Sequence, residues 1–160
     1  MWIRLLLIGV MIGLILSGVT AFPLPSEVRL LCELMGVPPS ANPSQFGGLT
    51  GWILLVSHGL SATEAAHPFL FYGTDWLAFA HLVIALLFIG PIKDPVRNVW
   101  VIQWGVIACA MVLPLALICG SIRNIPFAWR LIDCSFGVVA AVPLLVCLRL
   151  ISQLGESQAG

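Results

Sequence analysis

Charged residues are scarce in this sequence. Lysine and arginine together number seven, and aspartate and glutamate also seven, so that 9% of the 160 residues are charged, against roughly 25% in a soluble domain. So few charges cannot cover the surface of a soluble fold, whereas 60% of the residues are hydrophobic. The composition therefore indicates an integral membrane protein in contact with the lipid bilayer. The balanced charge gives no indication of a nucleic-acid partner.

Most short motifs that carry chemistry are also absent. The five cysteines include no C-x-x-C pair, which argues against a thiol–disulfide motif and a zinc site. There is no H-E-x-x-H, no phosphate-binding glycine loop and no pair of carboxylates on one helix. The sequence therefore leans away from an enzyme and requires no cofactor. A Cys119–Cys134 disulfide is an alternative that would join two cysteines of different predicted depth.

Four apolar stretches are candidates to cross a bilayer, whose hydrocarbon core of about 30 Å takes about 20 helical residues; the second is short and would need residues 68–72 or a thin bilayer to span. They are residues 2–21, 75–90, 98–119 and 125–151. Pro114 and Pro143 predict kinks in the third and fourth stretches. The first stretch also resembles a cleavable secretory signal, but its apolar run continues to Phe22, which favours an uncleaved helix. The predicted fold is an all-α, single-domain, four-helix membrane bundle.

The segment 22–73 separates the first two stretches and predicts a structured cap on the outer face. Ser26 can cap a helix over 27–35, because Gly36 and two prolines follow it. The apolar run 49–58 is too short to cross and predicts an interfacial helix. Ser61 and Glu64 have the spacing of a capping box and predict a third short helix over 62–67.

Basic residues set the predicted orientation, with both termini cytoplasmic. The inner loop is then 91–97, the outer loop 120–124 and the inner tail 152–160. The inner side carries four basic residues and the outer side three; the inner ones are Arg4, Lys93, Arg97 and Arg149, and the outer ones Arg29, Arg123 and Arg130.

Ionisable residues inside the predicted spans are costly unless they are paired. His81 shares a helix face with Ala78 and Ala85, and Asp133 shares one with Arg130 and Gly137, so both are predicted to face neighbouring helices. We therefore predict a polar cluster near the outer face. It is either a structural network that fixes helix register or a functional site. Asp75 also complements a helix N-terminus. The candidate ligand-binding residues are Trp52, Tyr72, Asp75, Trp76, His81, Arg123, Arg130 and Asp133.

Three function classes remain open. The first is an accessory or assembly subunit, in a complex or a homo-oligomer, that acts through helix contacts. The second is a binding or sensing protein for a quinone, lipid or small molecule, with a pocket between the outer cap and the bundle. The third is a redox or catalytic protein, in which His81 is the candidate haem ligand; no other metal site is predicted. The sequence favours the first class, because it contains no catalytic motif, and the other two are alternatives.

Overall fold

The computed structural model describes residues 1–159, with side chains as far as residue 154, and its regular elements are helices joined by short turns and loops. Two short 3₁₀ turns, Pro43–Gln45 and Pro68–Phe71, and a π turn, Leu115–Cys119, interrupt the α-helices. The α-helices are α1 (Trp2–Ala21), α2 (Leu24–Leu34), α3 (Gly48–Ala66), α4 (Tyr72–Leu87), α5 (Ile89–Lys93), α6 (Val99–Pro114), α7 (Gly120–Ile122) and α8 (Phe127–Ala159).

Four helical segments are long and apolar enough to span a membrane, which confirms that part of the prediction. They are Trp2–Ala21, Pro68–Lys93, Val99–Ile122 and Phe127–Leu154. The second is longer than the predicted 75–90 at both ends. The predicted tail, 152–160, is helical as far as Ala159, and Gly160 lies outside the described residues.

Prolines act differently in the three later segments. Pro91 lies in α5, directly after the short break between α4 and α5, and Pro114 ends α6 before the π turn. α8 continues through Pro143 as one helix of 33 residues. A proline removes one backbone hydrogen bond and its ring crowds the preceding turn, which accounts for the short break before Pro91, whereas the π turn lies on the other side of Pro114.

The chain forms two compact units. Unit 1 comprises Met1–Ile15 and the chain from Val83 onward, and unit 2 comprises Leu16–Leu82. The core of unit 1 contains Leu7, Phe88 and Ile102, packed with residues of α8. α6 lies against α8 at two glycines: a Cβ on Gly105 would meet Leu144 at 3.0 Å, and one on Gly137 would meet the Cys109 carbonyl oxygen at 2.6 Å. Small residues thus allow the two helices to approach closely.

The turn between the second and third segments is held by side chains, and we call residues 90–98 the Asn98 corner. The Asn98 amide donates to the carbonyls of Gly90 (3.2 Å) and Asp94 (2.9 Å). The Asp94 carboxylate accepts from the Arg97 backbone N–H (3.0 Å). Arg4 of α1 donates to the Lys93 carbonyl (3.2 Å). The Gly90 and Asp94 carbonyls also accept from the backbone N–H groups of Asp94 (3.0 Å) and Asn98 (3.2 Å), so the Asn98 amide adds a second bond at each.

In unit 2, α2 begins earlier than the predicted 27–35, because prolines occupy its first positions. Pro23 precedes the helix and Pro25 lies in its first turn, where a missing N–H costs no helical bond. Ser26 does not cap the helix; its hydroxyl accepts from Arg29 (3.2 Å). Gly36 ends α2 with φ +71°, and the Val37 N–H donates back to the Cys32 carbonyl (3.0 Å), as in a Schellman cap.

α3 replaces the two helices predicted over 49–58 and 62–67 with one helix of 19 residues. The supposed cap residues, Ser61 and Glu64, lie inside it, and Glu64 pairs with Arg29 at 3.5 Å. α2 packs against α3. Because the preceding apolar run already supplies the earlier turns of the helix, a cap at Ser61 is not needed.

Candidate functional site

The backbone between α6 and α8 leaves regular α geometry after Pro114. The π turn Leu115–Cys119 follows, then α7, and π turns are frequent at functional sites. Asn124 ends the segment with φ +55°, and the Ile125 N–H donates to the Gly120 carbonyl (2.9 Å). This is a Schellman cap with Asn in the left-handed position, and Pro126 follows it. The turn brings the start of α8 against the π turn and α7.

Arg130 of α8 is held against this irregular segment. Its Nη1 donates to the Leu117 carbonyl at 3.3 Å, and its guanidinium carbon lies 5.3 Å from the centre of the Phe127 ring. A Cβ on Gly120 would lie 2.6 Å from Arg130 Cδ, so Gly120 makes room for the side chain. The guanidinium is therefore engaged by a carbonyl and an aromatic face.

Beside Arg130 is a pocket of about 240 Å³, which we call the Asp133 pocket. Its walls are mostly apolar, and its two charged members are Arg123 and Asp133; the lining residues are Val112, Leu115, Ala116, Cys119, Gly120, Arg123, Ile125 and Asp133. Cys119 and Arg123 are exposed, whereas Asp133 is half-buried. The structure thus brings together two of the predicted site residues, Arg123 and Asp133. A third, Arg130, packs against Gly120, which lines the pocket.

The carboxylate of Asp133 is not engaged by the protein around it. Within the described side chains of unit 1, it has no hydrogen-bond partner and no cation at ion-pair distance. Arg130, three residues earlier on the same helix face, donates to Leu117 instead. A half-buried carboxylate with free lone pairs can accept a hydrogen bond from a hydroxyl or an amine of a bound molecule.

Other predicted site residues lie in unit 2. Tyr72 and Trp76 contact each other edge to face, with ring centres 5.9 Å apart, and both are largely exposed. Asp75 is half-buried in the first turn of α4, which suits the helix dipole. Trp52 is half-buried in α3, and its indole N–H has no partner in the described structure.

His81 satisfies one nitrogen inside its own helix. Its Nδ1 lies 2.8 Å from the Leu77 carbonyl, and because a carbonyl only accepts, that nitrogen carries the proton in this bond. A Cβ on Gly18 of α1 would lie 2.9 Å from the Ala78 carbonyl and 3.1 Å from His81 Cβ. His81 therefore lies where α1 and α4 approach closely in unit 2. Its predicted cluster with Arg130 and Asp133 and its haem-ligand role stay predictions.

A different histidine connects distant parts of unit 2. His58 Nε2 of α3 lies 2.9 Å from the carbonyl of Pro39, so the imidazole donates to the loop after α2. The five cysteines are free thiols, and only Cys119 has an exposed side chain among them. Among the described residues, no group of three or more His, Cys, Asp or Glu side chains could hold a metal ion.

Sequence reasoning missed most of the pocket. Val112, Leu115 and Ile125 are ordinary apolar residues of a predicted span or loop, and nothing in their pattern separates wall from lipid-facing surface. Gly120 had a detectable signal: it is the small residue at the end of the third apolar stretch, three residues before Arg123.

The fold and the site together define a class. By length and composition, the four apolar helices fit a multi-pass membrane protein, here with a pocket between the end of its third segment and the start of its fourth. Comparisons with known protein families, with curated proteins and with solved structures found no match.

Proposed function

We propose that this chain is a multi-pass membrane protein that binds a small amphipathic molecule in the Asp133 pocket. The observation that carries the proposal is the free, half-buried carboxylate of Asp133 in an otherwise apolar pocket. Burying a carboxylate without a partner is unfavourable, and a hydrogen bond donated by a ligand would offset that free energy.

The proposed orientation places the pocket on the outer side and both termini in the cytoplasm. Four basic residues support it, because Arg4, Lys93, Arg97 and Arg149 would then be cytoplasmic. α2 and α3 would form an outer cap, since α3, although 19 residues long, is not among the segments apolar enough to span.

The test is to identify what copurifies with the protein. Full-length protein is extracted into nanodiscs, and bound small molecules are identified by mass spectrometry. Ala116→Phe fills the pocket, because Ala116 is a buried lining residue. Ile118→Phe is the matched control: it lies two residues away, is 60% exposed and does not line the pocket.

We expect one class of molecule to be enriched with the wild type and with Ile118→Phe, and to be lost with Ala116→Phe at an unchanged melting temperature. Equal recovery from all three proteins, or none from any, would contradict the proposal.

A second candidate function is an accessory or assembly subunit that acts through helix contacts. It is favoured by α1, where Gly9 and Gly13 are exposed and a Cβ on either would meet nothing within 4 Å. Two glycines four residues apart in an apolar helix allow another transmembrane helix to approach closely. Replacing both glycines with leucine should abolish crosslinking to a second copy or to a partner; unchanged crosslinking would contradict this role.

A further inference from the structure

We infer that the ligand of the Asp133 pocket is a single-chain amphiphile with a hydroxyl or amine donor between its apolar tail and an anionic head. This inference rests on the proposed function, and it names the class of molecule that the same pocket would take. It follows from the order of groups along the pocket, from their charges and from its volume.

The first step is the order of groups from the deep end to the rim. Val112 lies deepest, level with Gly137, since a Cβ on Gly137 would be 3.1 Å from Val112 Cβ. Asp133 lies four residues earlier on α8, about 6 Å along the helix axis, and Arg123 lies beyond the end of the third apolar segment at Ile122. The pocket therefore presents an apolar floor, then a carboxylate, then a guanidinium.

The second step is the charge at each level. The Asp133 carboxylate needs a donor, and the Arg130 guanidinium donates one N–H to Leu117 and lies over Phe127, while its buried Nε has no partner among the described residues. Arg123 is exposed, and its fork of N–H groups binds phosphate or carboxylate. A ligand that satisfies both residues carries a donor at the middle level and an anion at the rim.

The third step is size. A volume of about 240 Å³ is below the roughly 300–1,000 Å³ of sites that enclose drug-sized molecules. The pocket takes a head group and the start of one chain, and the rest of the chain then lies along the exposed apolar side chains of the third segment. Leu115, 61% exposed, both lines the pocket and faces outward, which gives the tail a continuous path out.

Two kinds of molecule share this chemistry: a lysophospholipid, whose donor is a glycerol hydroxyl, and a long-chain base phosphate, whose donor is an amine. Binding to the full-length protein in nanodiscs is measured with four probes. Lysophosphatidate and sphingosine phosphate each carry both groups, oleyl phosphate lacks the donor, and monoolein lacks the anion.

We expect lysophosphatidate or sphingosine phosphate to bind at least tenfold more tightly than either deficient probe. Asp133→Asn should weaken the preferred probe about tenfold, because hydrogen bonds to a charged group are worth more than neutral ones. Arg123→Gln should weaken the phosphate probes about tenfold and leave monoolein unchanged. Arg97→Gln, an arginine of the Asn98 corner, is the control and should change nothing. A preference for the sphingosine probe identifies an amine donor, and a preference for lysophosphatidate a hydroxyl donor.

Two results would overturn the inference and leave the proposed function intact. One is equal binding of oleyl phosphate and lysophosphatidate, which would make the donor irrelevant. The other is a copurifying molecule of another class that Ala116→Phe removes. If no probe binds and nothing copurifies with the wild type, the inference and the proposed function fail together.

Discussion

The two turns that join successive apolar segments of unit 1 differ in whether their polar side chains are hydrogen-bonded. At the Asn98 corner, one amide bridges two carbonyls, and Arg4 reaches a third. At the other turn, Arg130 satisfies the Leu117 carbonyl, but the nearby Asp133 carboxylate remains free beside a pocket. Both turns have a proline nearby. The difference indicates that the corner serves stability, whereas the pocket retains a group that a ligand can use.

The largest effect is expected where α6 and α8 touch, below the pocket. Gly137→Ala places a methyl group 2.6 Å from the Cys109 carbonyl oxygen, and a backbone atom cannot move aside cheaply. We expect a loss of about 3 kcal/mol in the free energy of unfolding, at the upper end of overpacking effects. Gly9→Ala is the control, because its methyl group meets nothing. Reversible unfolding in mixed micelles measures both, and equal stabilities would refute the close approach.

The next effect concerns the Asn98 corner. Asn98→Ala leaves the carbonyls of Gly90 and Asp94 without this donor, and we expect about 2 kcal/mol of destabilisation. Ligand binding in the Asp133 pocket should be unchanged. If Asn98→Ala instead weakened ligand binding without lowering stability, the two turns would not differ in role as described.

Gly120→Ala tests how Arg130 is held. The added methyl group would lie 2.6 Å from Arg130 Cδ, and a flexible side chain can swing away, so we expect only about 1 kcal/mol, the net value of a typical hydrogen bond. Combining it with Arg130→Ala should add little to the cost of Arg130→Ala alone. Full additivity in that double-mutant cycle would show that Gly120 and Arg130 act independently.

The two histidines of unit 2 should differ. His58 donates to a carbonyl 19 residues away in sequence, whereas His81 bonds within its own helix. We expect His58→Ala to cost about 1 kcal/mol and His81→Ala less than half of that. A larger cost for His81→Ala would show that its imidazole has a structural partner beyond Leu77, as the predicted polar cluster requires.

The smallest stability effect is expected at Asp133. Because its carboxylate has no partner in unit 1 and its burial is costly, Asp133→Asn should leave the free energy of unfolding unchanged or raise it by less than about 0.5 kcal/mol, as measured by the same unfolding assay. A loss above about 1.5 kcal/mol would identify Asp133 as part of a structural network, and the contrast between the two turns would disappear.

The four apolar segments could be predicted because hydropathy over about 20 residues depends little on tertiary contacts. Helix ends were harder to predict. Ser61 and Glu64 have the capping-box spacing, yet both lie inside the continuous helix α3, and Glu64 pairs with Arg29 of α2. Asp133 and Arg123 could be chosen as candidates because charges are rare in this chain. Their apolar neighbours could not, since a wall residue such as Val112 differs from a lipid-facing one only by three-dimensional position.

The π turn implies a particular sensitivity to deletions. A five-residue turn of this kind holds about one residue more than a regular helical path needs. Removing one residue from Leu115–Cys119 would let the chain rewind as ordinary α-helix, and everything after it would rotate by about 100°. Arg123 and Asp133 both follow the deletion and would turn together, so they would no longer face Val112 of α6 across the pocket, and Gly137 would lose its position against Cys109. Deletion of a single residue at this point would therefore remove the pocket, although both of its charged residues, Arg123 and Asp133, would still be present.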